Sequence, residues 1–146
     1  MKLLLITIWM FLLAVWDIRC RRLPPSLLGL GIVYGVMAFV LMIAEEGMIS
    51  LPLLFGTVGG GVLLVALAFL TGTVGYADGV VVIVIGLLAG YRHVMVMLCM
   101  SLLLASLYSG ALLIMKKAKR STQIPFLPFL LVGWLVAVFI CGGELW

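Results

Sequence analysis

Six long apolar runs, separated only by short polar or basic stretches, constrain this chain more than any other feature. A helix that crosses a bilayer needs ~20 mostly apolar residues, with a range of ~17–25. The runs lie at about Leu3–Trp16 (extended by Asp17 and Ile18), Leu27–Ala44, Leu51–Leu70, Ala77–Tyr91, Val94–Met115 and Pro125–Cys141. The fourth is short. Pro24-Pro25, Pro52 and Pro125 fall at the starts of runs, where a missing N–H costs little. The expected fold is therefore all-α. It is a polytopic membrane helix bundle of about six transmembrane helices, forming one membrane-embedded domain over residues 1–146. Composition leaves almost no room for anything else, at 66% hydrophobic and 10% charged. A soluble domain is about 45–50% apolar and about 25% charged. A removable signal peptide explains the N-terminus poorly, because apolar runs continue to the other end of the chain.

Loop charge sets an orientation. Arg19, Arg21 and Arg22 stand between the first two runs, and Lys116, Lys117, Lys119 and Arg120 between the last two. Four runs separate these clusters, so both fall on one side, which the positive-inside rule makes cytoplasmic. Glu45 and Glu46 then face outward, with Lys2 and Arg92 as the minority of basic residues there. The net charge of +4 thus reads as membrane topology rather than as a nucleic-acid surface. The Lys116–Arg120 cluster is also suited to anionic headgroups of the lipid bilayer.

The only aspartates, Asp17 and Asp78, both fall at the edge of an apolar run. The same parity puts both at the cytoplasmic end. An acidic residue costs roughly 2.5–3.5 kcal/mol at the centre of a membrane helix and less near its boundary. Two carboxyls brought together resist ionising together, so one keeps its proton and the pair is an acid and a base at once. Desolvation at the membrane edge favours that shared proton. The structural alternative is helix capping or ion pairing. Asp17 precedes three arginines, and Asp78 stands near the start of a run, where a carboxylate suits the helix dipole.

The residues around the aspartates carry a resemblance. One segment reads Asp17-Ile18-Arg19-Cys20-Arg21-Arg22-Leu23-Pro24, a second Gly72-Thr73-Val74-Gly75-Tyr76-Ala77-Asp78-Gly79, and a third Ile124-Pro125-Phe126-Leu127-Pro128-Phe129-Leu130. In this order the three resemble the type IV prepilin peptidases, intramembrane aspartyl proteases of the GxGD type. The resemblance implies Asp17 and Asp78 as the catalytic pair, with Gly75, Ala77, Pro24 and Pro125 shaping the site or binding substrate. It implies removal of a short leader from prepilin-like or pseudopilin-like membrane proteins at the cytoplasmic face of a bacterial or archaeal cytoplasmic membrane. No cofactor and no metal are implied.

The chain departs from the family pattern in three places. Pro25 stands for the usual Asn, Ala77 for the second Gly of G-x-G-D, and Val80 for the usual Lys. A methyl at position 77 matters if the backbone there approaches substrate or takes positive φ. These departures motivate the alternative of an inactive relative that binds pilin-like helices or assists secretion or pilus assembly. A small transporter with carboxylate proton relays is a third reading, although its acidic residues belong deeper in the bilayer. Only about ten residues separate the first two runs, with no CxxC pair, so the zinc-binding methyltransferase insertion of larger members is not expected.

Other residues read as structural. Gly56 and Gly59-Gly60-Gly61 offer a small-residue face for close helix approach. Gly72 and Gly75 flank the turn before Asp78. His93, the only histidine, and most of the tryptophans are expected at membrane interfaces. Cys20, Cys99 and Cys141 lie far apart, and the topology puts Cys20 and Cys141 on opposite sides.

Overall fold

The computed structural model describes residues 2–20, 24–46, 51–71, 75–115 and 125–142. Five helices account for nearly all of them: α1 (Lys2–Cys20), α2 (Pro25–Glu46), α3 (Leu51–Thr71), α4 (Tyr76–Ile114) and α5 (Leu127–Cys141). The basic clusters at Arg21-Arg22 and Lys116–Arg120, together with Gly72, lie outside the described residues.

Proline sets the helix starts as its chemistry requires. Pro25 opens α2, and the Pro24 carbonyl accepts the N–H groups of Leu27 and Leu28 at 3.2 and 3.4 Å. Pro52 falls in the first turn of α3 and Pro128 in that of α5. At its other end α5 closes on Gly142, left-handed at φ 71, whose N–H reaches the Val138 carbonyl.

α4 consists of two helical limbs, the fourth and fifth apolar runs, that meet at a kink. The break falls at Gly90, with φ 81 and ψ 172 inside otherwise helical backbone. That conformation is open essentially to glycine alone. The two limbs fold back on the bundle without the separate loop that Arg92 and His93 suggested. The first limb, residues 76–89, is about 21 Å long at the helical rise. Among the described residues, α1 from Leu3 and α4 are long and apolar enough to cross a membrane. Pro25–Leu41, Leu54–Leu70 and Leu127–Cys141 are shorter apolar stretches.

α4 is the hub, packing against α2, α3 and α5, while α1 packs on α5. Small residues allow the closest approach. A Cβ on Gly61 would stand 2.7 Å from the Ile83 nitrogen and 2.8 Å from the Gly79 carbonyl oxygen. Gly60 faces Leu98 and Val94, and Gly56 faces Tyr91, so α3 touches both limbs of α4. Gly59, expected on the same face, meets nothing within 4 Å. The core is built from Met10 and Leu13 of α1, Val81, Ile85 and Met97 of α4, and Leu127, Leu130 and Trp134 of α5. Large apolar side chains also cover the outside, including Phe55, Phe69, Ile114 and Phe139. Water penalises such a surface and hydrocarbon does not, as befits a membrane protein.

One interfacial expectation, that for His93, is corrected. His93 is buried against Trp134, with ring centroids 5.8 Å apart. Its ring donates to the Ala89 carbonyl, and Nε2 has no partner among the described residues. Trp134 is itself fully buried and donates Nε1–H to Thr7 Oγ1 at 2.9 Å. The bend at Gly90 turns His93 inward, and a polar partner on α1 makes an interior indole affordable. Trp16 remains half-exposed.

Candidate active site

Asp78 is held by the start of α4. Gly75 is the N-cap, with extended backbone at φ −73 and ψ 130 and no side chain to cap the helix. Asp78 stands three residues on. Its N–H donates to the Gly75 carbonyl at 3.1 Å, and its carboxyl accepts the Gly75 N–H. This is the returning half of a capping box, which satisfies a helix-end donor with a carboxylate. A Cβ on Gly75 would lie 3.2 Å from Asp78 Oδ2. The carboxyl therefore rests directly against the glycine, and Asp78 is only 8% exposed.

Gly79 explains that burial. A Cβ there would meet Val65 Cγ2 at 2.5 Å, the Val65 nitrogen at 2.9 Å and the Gly61 oxygen at 3.0 Å. Without a side chain, the first turn of α4 presses onto α3 and carries the neighbouring carboxyl inward.

Asp17 lies one turn before the end of α1, half-buried. Its hydrogen-bond donor is the backbone N–H of Leu127, the first residue of α5. Of the arginines considered as its partners, Arg19 is exposed; Arg21 and Arg22 lie outside the described residues. The capping alternative is thus present in the structure for both aspartates. Asp78 caps its own helix, and Asp17 caps the start of α5. Neither bond uses all the acceptor sites of a carboxylate, which has two oxygens and about four lone-pair positions.

The two carboxyls interact. The charge on Asp17 acts on Asp78, although they come from opposite termini of different helices. The end of α1, the start of α4 and the start of α5 thus meet at one end of the bundle. Two coupled carboxyls in a partly desolvated setting can hold one proton between them, giving an acid and a base without a further group.

The remaining site candidates fall around this point in different ways. Pro24 is half-buried ahead of α2 and acts through its carbonyl as the cap of that helix. Pro125 is half-buried two residues ahead of α5. Ala77 lies in the first turn of α4 with helical backbone. The positive φ that would have required glycine at position 77 is therefore absent, and alanine sits there without backbone strain. Val80 is half-buried in the next turn.

The contact that sequence reading missed is Leu127. Its signal was present in the Pro125-Phe126-Leu127-Pro128-Phe129 segment. Pro128 has no N–H, and the Phe129 and Leu130 N–H groups both reach the Phe126 carbonyl, at 3.0 and 3.1 Å. The Leu127 N–H is one of the helix-start donors that the helix itself does not satisfy.

A sequence model of the type IV leader peptidase family matches residues 4–114. The match includes both aspartates, Pro24, Gly75 and Ala77, and it ends before Pro125 and α5. Comparison with curated proteins and with solved structures gives no significant match.

Proposed function

The chain belongs to the type IV leader peptidase family, and from that membership we propose that it is an aspartyl endopeptidase acting through Asp17 and Asp78. The supporting observation is that both carboxyls lie at one end of the bundle, near enough for the charge on Asp17 to act on Asp78. In the reaction, the ionised member takes a proton from water as the water oxygen attacks the scissile carbonyl carbon. The protonated member donates to the carbonyl oxygen. On collapse of the tetrahedral intermediate, the leaving nitrogen receives a proton and the C–N bond breaks. Because the carboxyls titrate as a pair, each role belongs to the pair.

The substrate in this reading is a prepilin-like or pseudopilin-like precursor, cut between a short basic leader and its apolar helix. Support comes from the family and from the chain's own apolar surface. The six apolar runs cross the cytoplasmic membrane of a bacterium or archaeon, with the bend at Gly90 between the fourth and fifth. The basic loops at Arg19–Arg22 and Lys116–Arg120 put the aspartates on the cytoplasmic face. The whole chain acts as one membrane-embedded domain.

The test is cleavage of a co-expressed precursor in cells lacking their own leader peptidase. Asp17→Asn and Asp78→Asn should each abolish processing while the protein still inserts. Processing by either variant would sink the paired mechanism. A wild-type chain that binds precursor without cleaving it would favour the non-catalytic alternative.

A further inference from the structure

Asp78 is the more enclosed of the two carboxyls, and two successive constraints bear on it. The first is local: the carboxyl rests against Gly75, the N-cap of its own helix. The second fixes that helix start to the bundle. Gly79, the residue after Asp78, and Gly61 of α3 meet in a reciprocal backbone contact. A Cβ on Gly79 would lie 3.0 Å from the Gly61 carbonyl oxygen, and a Cβ on Gly61 would lie 2.8 Å from the Gly79 carbonyl oxygen. Each glycine turns its open side to the other's carbonyl, an arrangement in which Cα–H···O contacts recur between helices. One turn along α3, Val65 closes over Gly79, with its nitrogen and Cγ2 at 2.9 and 2.5 Å from the same Cβ position.

Gly60 supplies the contrast. It neighbours Gly61 in the chain, yet the atoms nearest to a Cβ there belong to side chains, Leu98 Cδ1 at 2.6 Å and Val94 Cγ1 at 3.4 Å. The tip of a leucine can turn aside, whereas backbone moves only with its helix.

We propose that Gly61 and Gly79 are positioning residues, whose contact sets how the first turn of α4 sits on α3 and thereby where the Asp78 carboxyl stands. The role rests on the paired-aspartate reading, because a seat for Asp78 serves catalysis only if Asp78 does. It gives α3, which carries no titratable side chain, a part in the reaction.

The test compares three alanines. Gly79→Ala and Gly61→Ala each set a methyl against backbone, and Gly60→Ala sets one against the Leu98 tip. On a precursor peptide in proteoliposomes, the first two should lower kcat about tenfold, against on the order of 100-fold for a misplacement of about 1 Å. KM should stay within about twofold, since both glycines are buried away from substrate. Gly60→Ala should keep kcat within about twofold of wild type. An equal loss in all three variants at matched thermal stability overturns the positioning role.

A second readout is independent of cleavage. The chain has only two aspartates, so carboxyl-13C aspartate labelling yields two side-chain signals, assigned with Asp17→Asn and Asp78→Asn. Gly79→Ala should move the Asp78 signal further than the Asp17 signal, and Gly60→Ala should move neither. Val65→Ala covers the case in which Gly79→Ala fails to fold. It removes the methyls over Gly79, crowds nothing, and should also move the Asp78 signal the further. An Asp78 signal unmoved in the folded variants overturns the seat, whether or not the chain cleaves. A moved signal with unchanged kcat overturns its catalytic role. A wild-type chain that cleaves nothing fails the peptidase reading, while the NMR measurement still decides the seat.

Discussion

Trp134 donates its indole N–H to Thr7 Oγ1 at 2.9 Å, and Thr7 passes a hydroxyl bond on to the Leu3 carbonyl at 2.8 Å. This pair ties α5 to α1 within the bundle, and the Leu127 bond to Asp17 ties the same helices at the site. α1 is also tied to α2, where the Trp9 indole donates to the Leu27 carbonyl at 3.1 Å, and its Met10 and Leu13 share the core with residues of α4.

Thr7→Val keeps the side-chain shape and removes the acceptor, leaving a buried indole N–H unpaired. Such a loss costs about 1–3 kcal/mol. Trp134→Phe removes the donor and leaves Thr7 still bonded to Leu3, so its penalty is mainly lost packing. Thermal unfolding in detergent should show Thr7→Val clearly destabilised. Unchanged stability would mean that the indole finds another partner.

Gly75→Ala should lower precursor cleavage about tenfold or more with the protein still folded. The backbone at φ −73 and ψ 130 accepts alanine, so strain is not the cause. The new methyl would stand 3.2 Å from Asp78 Oδ2 and push the carboxyl from its place. The carboxyl must give by a few tenths of an ångström, against on the order of 100-fold in rate for a misplacement of about 1 Å. Wild-type kcat in this variant would show that the carboxyl relaxes without consequence.

Gly90→Ala should destabilise the fold by about 1–3 kcal/mol, the cost of holding a side chain in that backbone region. The alternative open to the variant is a straighter α4, which would lift His93 off Trp134. Trp134 fluorescence and thermal unfolding read the two outcomes. A variant matching wild type in both would argue against the bend.

The pH dependence follows from sharing one proton between two acids. At low pH both carboxyls are protonated and the base is lost. At high pH both are ionised and the acid is lost. kcat/KM should therefore pass through a maximum, with limbs that belong to the coupled pair. Initial rates of precursor cleavage in proteoliposomes measure this. A profile that only rises or only falls would contradict the shared-proton mechanism.

Much of the local structure was legible in the chain. Pro24-Pro25 and Pro52 marked helix starts, and the described ends of α1, α2 and α3 lie within a few residues of the apolar runs. Charge parity put Asp17 and Asp78 at one end, and the influence of the Asp17 charge on Asp78 agrees with that shared end. The boundary read between Tyr91 and Val94 falls next to the kink. The change of direction needs only one residue, and Gly90 supplies it.

His93 was misjudged for a related reason. In water, the buried face of a helix is told from the exposed one by polarity. In hydrocarbon both faces are apolar, so hydropathy does not say which side packs. The sequence by itself determined the apolar runs, their approximate ends and the shared end of the two aspartates, because these follow from transfer free energy and counting. Tertiary structure decided that α4 bends without a loop, that Trp134 meets Thr7 and that the Leu127 N–H finds Asp17. Those outcomes depend on close packing at glycines and on pairing each buried polar group, which are properties of residues distant in the chain.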